Sequence, residues 1–430
     1  MRKQKVLVFP AGTEIAFEIH NALKFSKFVE LYGCSSVSCH AEFLFKNYIE
    51  GVPYPNDPGF ADAINKIVDE YGIDFIYPAH DSACLALTQL QDSGKLHCKV
   101  VTSPLETVDT CRSKTKTYEF FKGEEFIPKT FASADDIESY PVFCKPAVGQ
   151  GAEGAMKVND REELDKLLSG DEQYVICEYL PGDEYTVDCF TDRKGELRSS
   201  IIRRRERIRS GIAVRSRIIP MDDQVKAIAG KINSKMKFNG AWFFQLKRNN
   251  SGDYRLLEIS PRIPGTMGTT RNLGINYPML TIFDLLGFDV GIINNGQDIL
   301  LDRAFISRYQ TSVKYNTVYM DFDDTLYLDD KVNVTMIAFV YQCFNKGIPV
   351  VLLTKHAKDI YDSLDKFRIS KDLFSEIIHI QKDHDKSEYI TAKDAIFVDD
   401  SFAERKNIHD KLGIPVYDLD MIESLIDWRM

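Results

Sequence analysis

Residues 240–265 read GAWFFQLKRNNSGDYRLLEISPRIPG. Two apolar runs, FFQLKR and YRLLEIS, flank NNSGD, whose Asn, Gly and Asp residues favour a tight reversal, so the stretch predicts a pair of adjacent antiparallel strands. Pairing across that turn sets Gln245 beside Glu258, an amide oxygen next to a carboxylate, with Ser260 and Arg262 following on the same run. Oxygen donors on neighbouring strands suit Mg2+, which takes carboxylate, amide and phosphate oxygens. The competing reading is two exposed polar residues on the wet face of an alternating sheet.

Upstream, residues 175–190, VICEYLPGDEYTVDCF, place Glu178 before a Pro181-Gly182 turn and Glu184 and Asp188 after it. Residues 142–156, VFCKPAVGQGAEGAM, form a strand carrying Lys145 and then a loop with Gly149, Gly151 and Gly154. Glycines let backbone N–H groups approach phosphates, and a lysine beside them neutralises charge. Taken alone, such a loop after a strand is more often an ordinary hairpin turn.

In order, Lys114, Lys145, the GQGAEG loop at 149–154, EYLPGDEY at 178–185, and Gln245, Glu258 and Arg262 resemble the ATP-grasp superfamily. The look is nearest to its carbamoyl-phosphate synthase large-subunit branch. The resemblance covers residues 1–310, including a start similar to the pre-ATP-grasp domain. It implies ATP and Mg2+ as cofactors, with Lys114 and Lys145 on the nucleotide phosphates and the 149–154 loop closing over them. It implies that Glu178, Tyr179 and Leu180 line the adenine hinge and that Glu184 holds the ribose. Gln245 and Glu258 would hold Mg2+, and Arg262 would steady the transferred phosphoryl group or its acceptor. The family's usual Asn-Pro-Arg is here Ser260-Pro261-Arg262. A serine hydroxyl is shorter, and it holds the metal directly, through water, or not at all.

Residues 201–217, IIRRRERIRSGIAVRSR, are rich in arginine. A charge run is often a solvated face. Under strand alternation Arg203, Arg205, Arg207 and Arg209 share one side, and guanidinium forks suit carboxylate and phosphate oxygens, so Arg203, Arg205 and Arg207 are the candidate acid-binding residues. The reaction implied is attack of a carboxylate on the γ-phosphate of ATP, giving an acyl phosphate that an amine captures, with water kept out by the closing glycine loop.

Residues 317–326, TVYMDFDDTL, end a strand in Asp321 and Asp323, with Thr325 after them. Thr354 closes the strand PVVLLT, Lys386 opens a helix in DHDKSEYI, and AIFVDD ends in Asp399 and Asp400. This set resembles the four motifs of the haloacid dehalogenase (HAD) superfamily over residues 314–430. The resemblance implies Asp321 as nucleophile, Asp323 as general acid and base, Thr354 and Lys386 on the phosphoryl oxygens, and Mg2+ held among Asp321, Asp323, Asp399 and Asp400. Lys382 would serve in place of Lys386 if the helix began earlier. The intervals Thr325 to Thr354 and Thr354 to Lys386 are too short for an inserted cap domain, so the site is expected to be capless and open.

The 430 residues exceed one core and divide by pattern into 1–110, 111–312 and 313–430. The expected fold class is α/β and α+β multidomain: a Rossmann-like pre-ATP-grasp domain, an ATP-grasp fold and a capless Rossmann-like HAD domain. A first helix is expected to run from the KVLVFPAG strand through Glu30. The net charge of −10 argues against nucleic acid or a membrane surface as partner. Nine scattered cysteines without a CxxC pair point to reduced thiols and, with a start that lacks a leader pattern, to the cytoplasm. The expected partners are a small-molecule carboxylate and an amine, or a phosphorylated substrate. The leading function is an ADP-forming carboxylate-amine ligase coupled to a phosphomonoesterase. The alternatives are a small-molecule phosphotransferase with the same phosphatase, or a nucleotide-binding sensor.

Overall fold

Strand β1 (Gln4–Phe9) is the apolar run of the N-terminus, and it pairs in parallel with β2 (Val29–Ser35) on one side and β4 (Phe75–Pro78) on the other. With β3 (Asn47–Glu50) and β5 (Lys99–Val100) the order is β3-β2-β1-β4-β5. Helices α1 (Glu14–Leu23), α2 (Phe60–Tyr71) and α3 (Asp81–Asp92) connect them. Glu30 lies within β2, not in the first helix. That helix ends at Leu23 because VELYGCS carries a buried strand pattern paired with β1, and pairing overrides a helical periodicity that had no stop signal of its own. The structure, a computed structural model, describes residues 2–149, 151 and 153–429.

Helices α4 (Leu105–Arg112) and α5 (Lys114–Phe120) lead into a small antiparallel sheet. It orders β6 (Thr130–Phe131), β7 (Val142–Pro146), β8 (Met156–Val158) and β9 (Tyr174–Glu178) as β6-β9-β7-β8, with α6 (Arg161–Leu168) between the last two in sequence. The larger antiparallel sheet follows: β10 (Glu184–Thr191), β11 (Leu197–Arg209), β12 (Ile212–Ile218), β13 (Gly240–Arg248), β14 (Tyr254–Ser260) and β15 (Leu300–Asp302). Its order is β14-β13-β10-β11-β12-β15. The expected hairpin is present, and Gln245 stands opposite Glu258 in its register. Helix α7 (Asp223–Lys235) covers the face where Trp242, Phe244 and Leu256 are buried, and α8 (Gly268–Asn272) and α9 (Tyr277–Leu285) close the region.

Residues 306–429 form a second compact unit. Its five-stranded parallel sheet contains β16 (Thr317–Met320), β19 (Val350–Thr354), β20 (Glu376–His379), β21 (Ala395–Val398) and β22 (Val416–Tyr417), ordered β20-β19-β16-β21-β22. A short hairpin of β17 (Tyr327–Leu328) and β18 (Lys331–Val332) precedes α10 (Val334–Asn345). Helices α11 (Ile360–Phe367) and α12 (Phe402–Leu412) complete the unit. The division between units falls at 305/306, short of the expected 312/313. Residues 303–315 have no regular structure, so periodicity had no element from which to place the boundary. All nine cysteines are free. No helix among the described residues is long and apolar enough to cross a membrane.

Candidate functional sites

Lys145 sits on β7, 5% exposed, and its ammonium donates to the Tyr118 hydroxyl and to the Leu257 carbonyl at 3.2 Å. Burial disfavours its charge, but Tyr118, Cys177 and Glu258 outweigh that and raise its value above normal. Lys114 opens α5, where burial, with Lys145 and Arg112 adding, lowers its value. Both lysines line a cavity of about 180 Å³ with Phe143, Leu180, Leu257 and Glu258. Of the glycine loop, Gly149 and Gly151 line the same cavity. Gly151 and Gly154 have φ of +61° and +69°, and a Cβ on Gly154 would meet Pro146 at 2.9 Å, so these two positions require glycine. Gln150 and Ala152 of that loop lie outside the described residues.

The other expected nucleotide contacts divide. Glu178 and Leu180 line the cavity, while Tyr179 is not among its lining residues and instead has the Lys157 ammonium 4.9 Å from its ring centre. Glu184 lines the cavity, but its carboxylate is paired with Arg205. The Gln245 side-chain amide donates to Glu258 at 2.8 Å, and its oxygen accepts from Arg205 at 2.7 Å. Ser260 donates to Asp81 at 3.2 Å, so its hydroxyl proton is committed to a carboxylate. Of Gln245, Glu258 and Ser260, Glu258 alone brings charged oxygens, while Glu178 and Glu184 line the same cavity; one carboxylate with an amide oxygen fits Mg2+ bound mainly through nucleotide phosphates.

A second cavity, about 250 Å³, shares Gln245, Glu258, Arg205, Gly151 and Gly211 with the first. Arg262 lines it and forms a fork on Asp81, with both bonds at 2.7 Å. Burial alone would push the Asp81 carboxyl up, but Arg262, with Arg112 adding, holds it down to about 2. Asp81 closes the strand-like stretch DFIYPAHD and begins α3, a position sequence reading passed over. Its signal was an acidic residue at a strand end where a helix starts.

The arginines do not form one common face. Arg203 is 1% exposed and bidentate on the fully buried Asp188, at 3.0 and 3.1 Å. Arg205 lines both cavities. Arg207 lines neither, and pairs with Asp302 at 2.6 Å. The pairing of β11 with β12 shifts between Arg205 and Arg207, and such a bulge turns the next side chain away.

Residues 171–299 match a family model described as an ATP-grasp in the biosynthetic pathway with Ter operon. Among solved structures, the Rhizobium etli pyruvate carboxylase is similar with a TM-score of 0.56 and 15% identity, over 68% of this chain and 29% of that one. The biotin carboxylase domain of Hydrogenobacter thermophilus 2-oxoglutarate carboxylase, solved with MgADP, ADP and bicarbonate, has a TM-score of 0.55 and 16% identity, over 69% and 72%. The larger unit has an ATP-grasp fold. The Bacillus licheniformis L-amino acid ligase is similar too, with a TM-score of 0.51 and 16% identity over 66% of this chain and 75% of that one. At such identities the likeness concerns the fold, not a branch within it. No curated protein matches the chain.

In the smaller unit, Asp321, Thr354 and Asp399 meet at the carboxyl ends of β16, β19 and β21, where the strand order reverses. Lys386 heads a single 3-10 turn (Lys386–Tyr389) and donates to Asp321 and Asp399, both at 2.7 Å. Lys382 is exposed. Asp321, Asp399 and Asp400 each offer an oxygen within 4.8 Å of the others. Burial and the neighbouring Asp399 push Asp321 up to about 7 against the pull of Lys386. The Thr354 hydroxyl is buried with no hydrogen-bond partner among the described residues. Asp323, expected among the metal ligands, is not in that group. Its carboxylate, in the turn that follows Phe322, accepts from Tyr327 at 2.7 Å and lies 2.8 Å from His356 Nδ1. His356 was not foreseen; it follows Thr354 by two residues but belongs to no motif that was recognised.

Proposed function

We propose that the larger unit is an ATP-dependent carboxylate-amine ligase and the smaller a phosphomonoester phosphatase. The observation that carries the ligase reading is the junction of the two cavities at Gln245, Glu258 and Arg205. One cavity is partly apolar and lysine-lined, as a nucleotide needs; the other is arginine-lined, as an acid needs.

ATP would lie with its base against Phe143, Leu180 and Leu257 and its phosphates toward Lys114, Lys145 and the glycine loop. Glu258, with Gln245, would hold Mg2+, which offsets charge on the phosphates. Arg205 is placed to orient the acid so that a carboxylate oxygen bonds to the γ-phosphorus while the bond to ADP breaks. An amine then attacks the acyl carbon, inorganic phosphate leaves, and the amine gives up a proton. Glycines 149–154 would exclude water meanwhile. Similarity to an L-amino acid ligase agrees with this reaction class, and the Ter-operon family description agrees with a biosynthetic role.

In the smaller unit, Asp321 would attack the phosphorus of a monoester, with Asp323 protonating the departing oxygen. Asp323 would then take a proton from the water that hydrolyses the aspartyl phosphate. Lys386 and the unpartnered Thr354 hydroxyl fit the phosphoryl oxygens, and the Asp321, Asp399 and Asp400 oxygens fit Mg2+, which relieves the repulsion between carboxylate and phosphate. His356 and Tyr327 position Asp323.

The experiment is a screen of carboxylate and amine pairs for ADP release, run on the Asp321→Asn chain. Stoichiometric ADP with a new amide is expected. A stable phosphorylated product would replace ligation with phosphotransfer, and nucleotide binding without turnover would leave a sensor. Asp321→Asn should itself reduce p-nitrophenyl phosphate hydrolysis at least a hundredfold, about 3 kcal/mol in barrier; hydrolysis at the original rate would remove the aspartyl-phosphate route.

A further inference from the structure

Three guanidinium nitrogens in the larger unit are buried without a hydrogen-bond partner among the described residues: Arg203 Nη1, Arg205 Nε and Arg303 Nη1. All three residues line the same 250 Å³ cavity. A buried donor left unpaired is costly, the more so when charged, so three such nitrogens on residues lining one cavity point to acceptor atoms that a ligand brings.

The arginines are held from behind. Arg203 uses Nε and Nη2 on Asp188, which in turn accepts from the Thr270 hydroxyl at 2.6 Å. Arg205 uses Nη1 on Glu184 and Gln245 and Nη2 on the Gly211 carbonyl at 2.6 Å. Arg303 follows β15, anchored by its backbone N–H on the Val214 carbonyl at 2.7 Å. The cavity also meets the N-terminal turn of α1, capped by Thr13, at the crevice between β1 and β4 where the first sheet reverses its order. A helix start there adds a positive pole, offset in part by Glu14 in its first turn, which lines the same cavity.

The positions of the arginines divide their work. The carboxylate to be activated must reach the nucleotide cavity, and Arg205 lines both cavities. Arg203 and Arg303 line only the second, arginine-lined one. We propose that the acid carries a second oxyanionic group, a carboxylate or a phosphate, and that Arg203 and Arg303 hold it while Arg205 guides the reacting carboxylate. This rests on the ligase reading. The acid is small, since the cavity of about 250 Å³ is below the roughly 300–1,000 Å³ of drug-sized ligand sites.

The test uses the full chain with Mg2+ and a non-hydrolysable ATP analogue, titrated calorimetrically with acetate, succinate and phosphoglycolate. At least one of succinate and phosphoglycolate should bind tenfold or more tightly than acetate, and the tighter of the two identifies the second group. Arg303→Gln should abolish that preference while leaving affinity for the ATP analogue unchanged, and Arg303→Lys should restore part of it. Arg303 is half-buried and carries no ion pair among the described residues, so its replacement is less disruptive than that of Arg203; an unchanged melting curve verifies the fold. Equal binding of all three probes, no binding of either succinate or phosphoglycolate, or an intact preference in Arg303→Gln would overturn the proposal. Failure of the parent chain to bind the ATP analogue, with its preference for succinate or phosphoglycolate over acetate kept, would instead overturn the ligase reading and uphold the anion site.

Discussion

Lys145 is a cation kept charged in a buried place by Tyr118, Cys177 and Glu258, and such a charge is poised for a phosphate. Lys145→Ala should lower ATP-dependent turnover at least a hundredfold, about 3 kcal/mol, and leave phosphomonoester hydrolysis unchanged, measured by ADP release and by p-nitrophenyl phosphate. His20 is a residue of a different kind. It is buried beside Phe45, and burial, with Lys24 adding, brings it down to about 4. The folded value lies below the unfolded one near 6.5, so the unfolded chain binds the proton first. Stability is therefore full above pH 6.5 and falls as pH drops toward 4, by about 3 kcal/mol from this one ring. In urea denaturation, His20→Leu should lose less stability between pH 7 and pH 4.5 than the parent; equal losses would remove His20 as the source.

At the scale of elements, β11 decides which arginines take part. Alternation predicted Arg203, Arg205 and Arg207 together, and it holds as far as the bulge after Arg205. Arg207 is then a half-exposed partner of Asp302, and solvent screening leaves such a pair worth little. With saturating ATP, and with the acid that supports ADP release, Arg205→Ala should raise KM for the acid tenfold or more. Arg207→Ala should change it less than about threefold, within the range of an exposed pair. A large effect from Arg207 would return the acid to the outer face. The β13–β14 hairpin was more legible than β11, because a turn with Asn, Gly and Asp sets register locally, whereas a bulge depends on the partner strand.

At the scale of the whole molecule, two parallel sheets recur with the same order, three-two-one-four-five in their own strands, and each places chemistry-bearing residues at the reversal. The smaller unit has cores of its own around Phe322, Phe339 and Leu352 and around Tyr319 and Phe397. Residues 306–430 expressed alone should therefore fold and hydrolyse p-nitrophenyl phosphate, and the Asp321→Asn form of that fragment should fold but not hydrolyse. An unfolded fragment by circular dichroism would contradict independent folding.

What the sequence determined by itself is local: a hairpin that aligns Gln245 with Glu258, glycines where φ is positive, and acids at the ends of apolar strands. Each follows from residues within one turn or one strand pair, where steric and pairing rules act over short separations. The tertiary structure alone decided that Arg262 is tied to Asp81, 181 positions away, that Arg203 is paired with Asp188 through two of its nitrogens, and that Arg303 reaches the arginine-lined cavity. Burial and the pairing of charge depend on which distant segments meet, and periodicity along one strand carries no record of the surface packed against it.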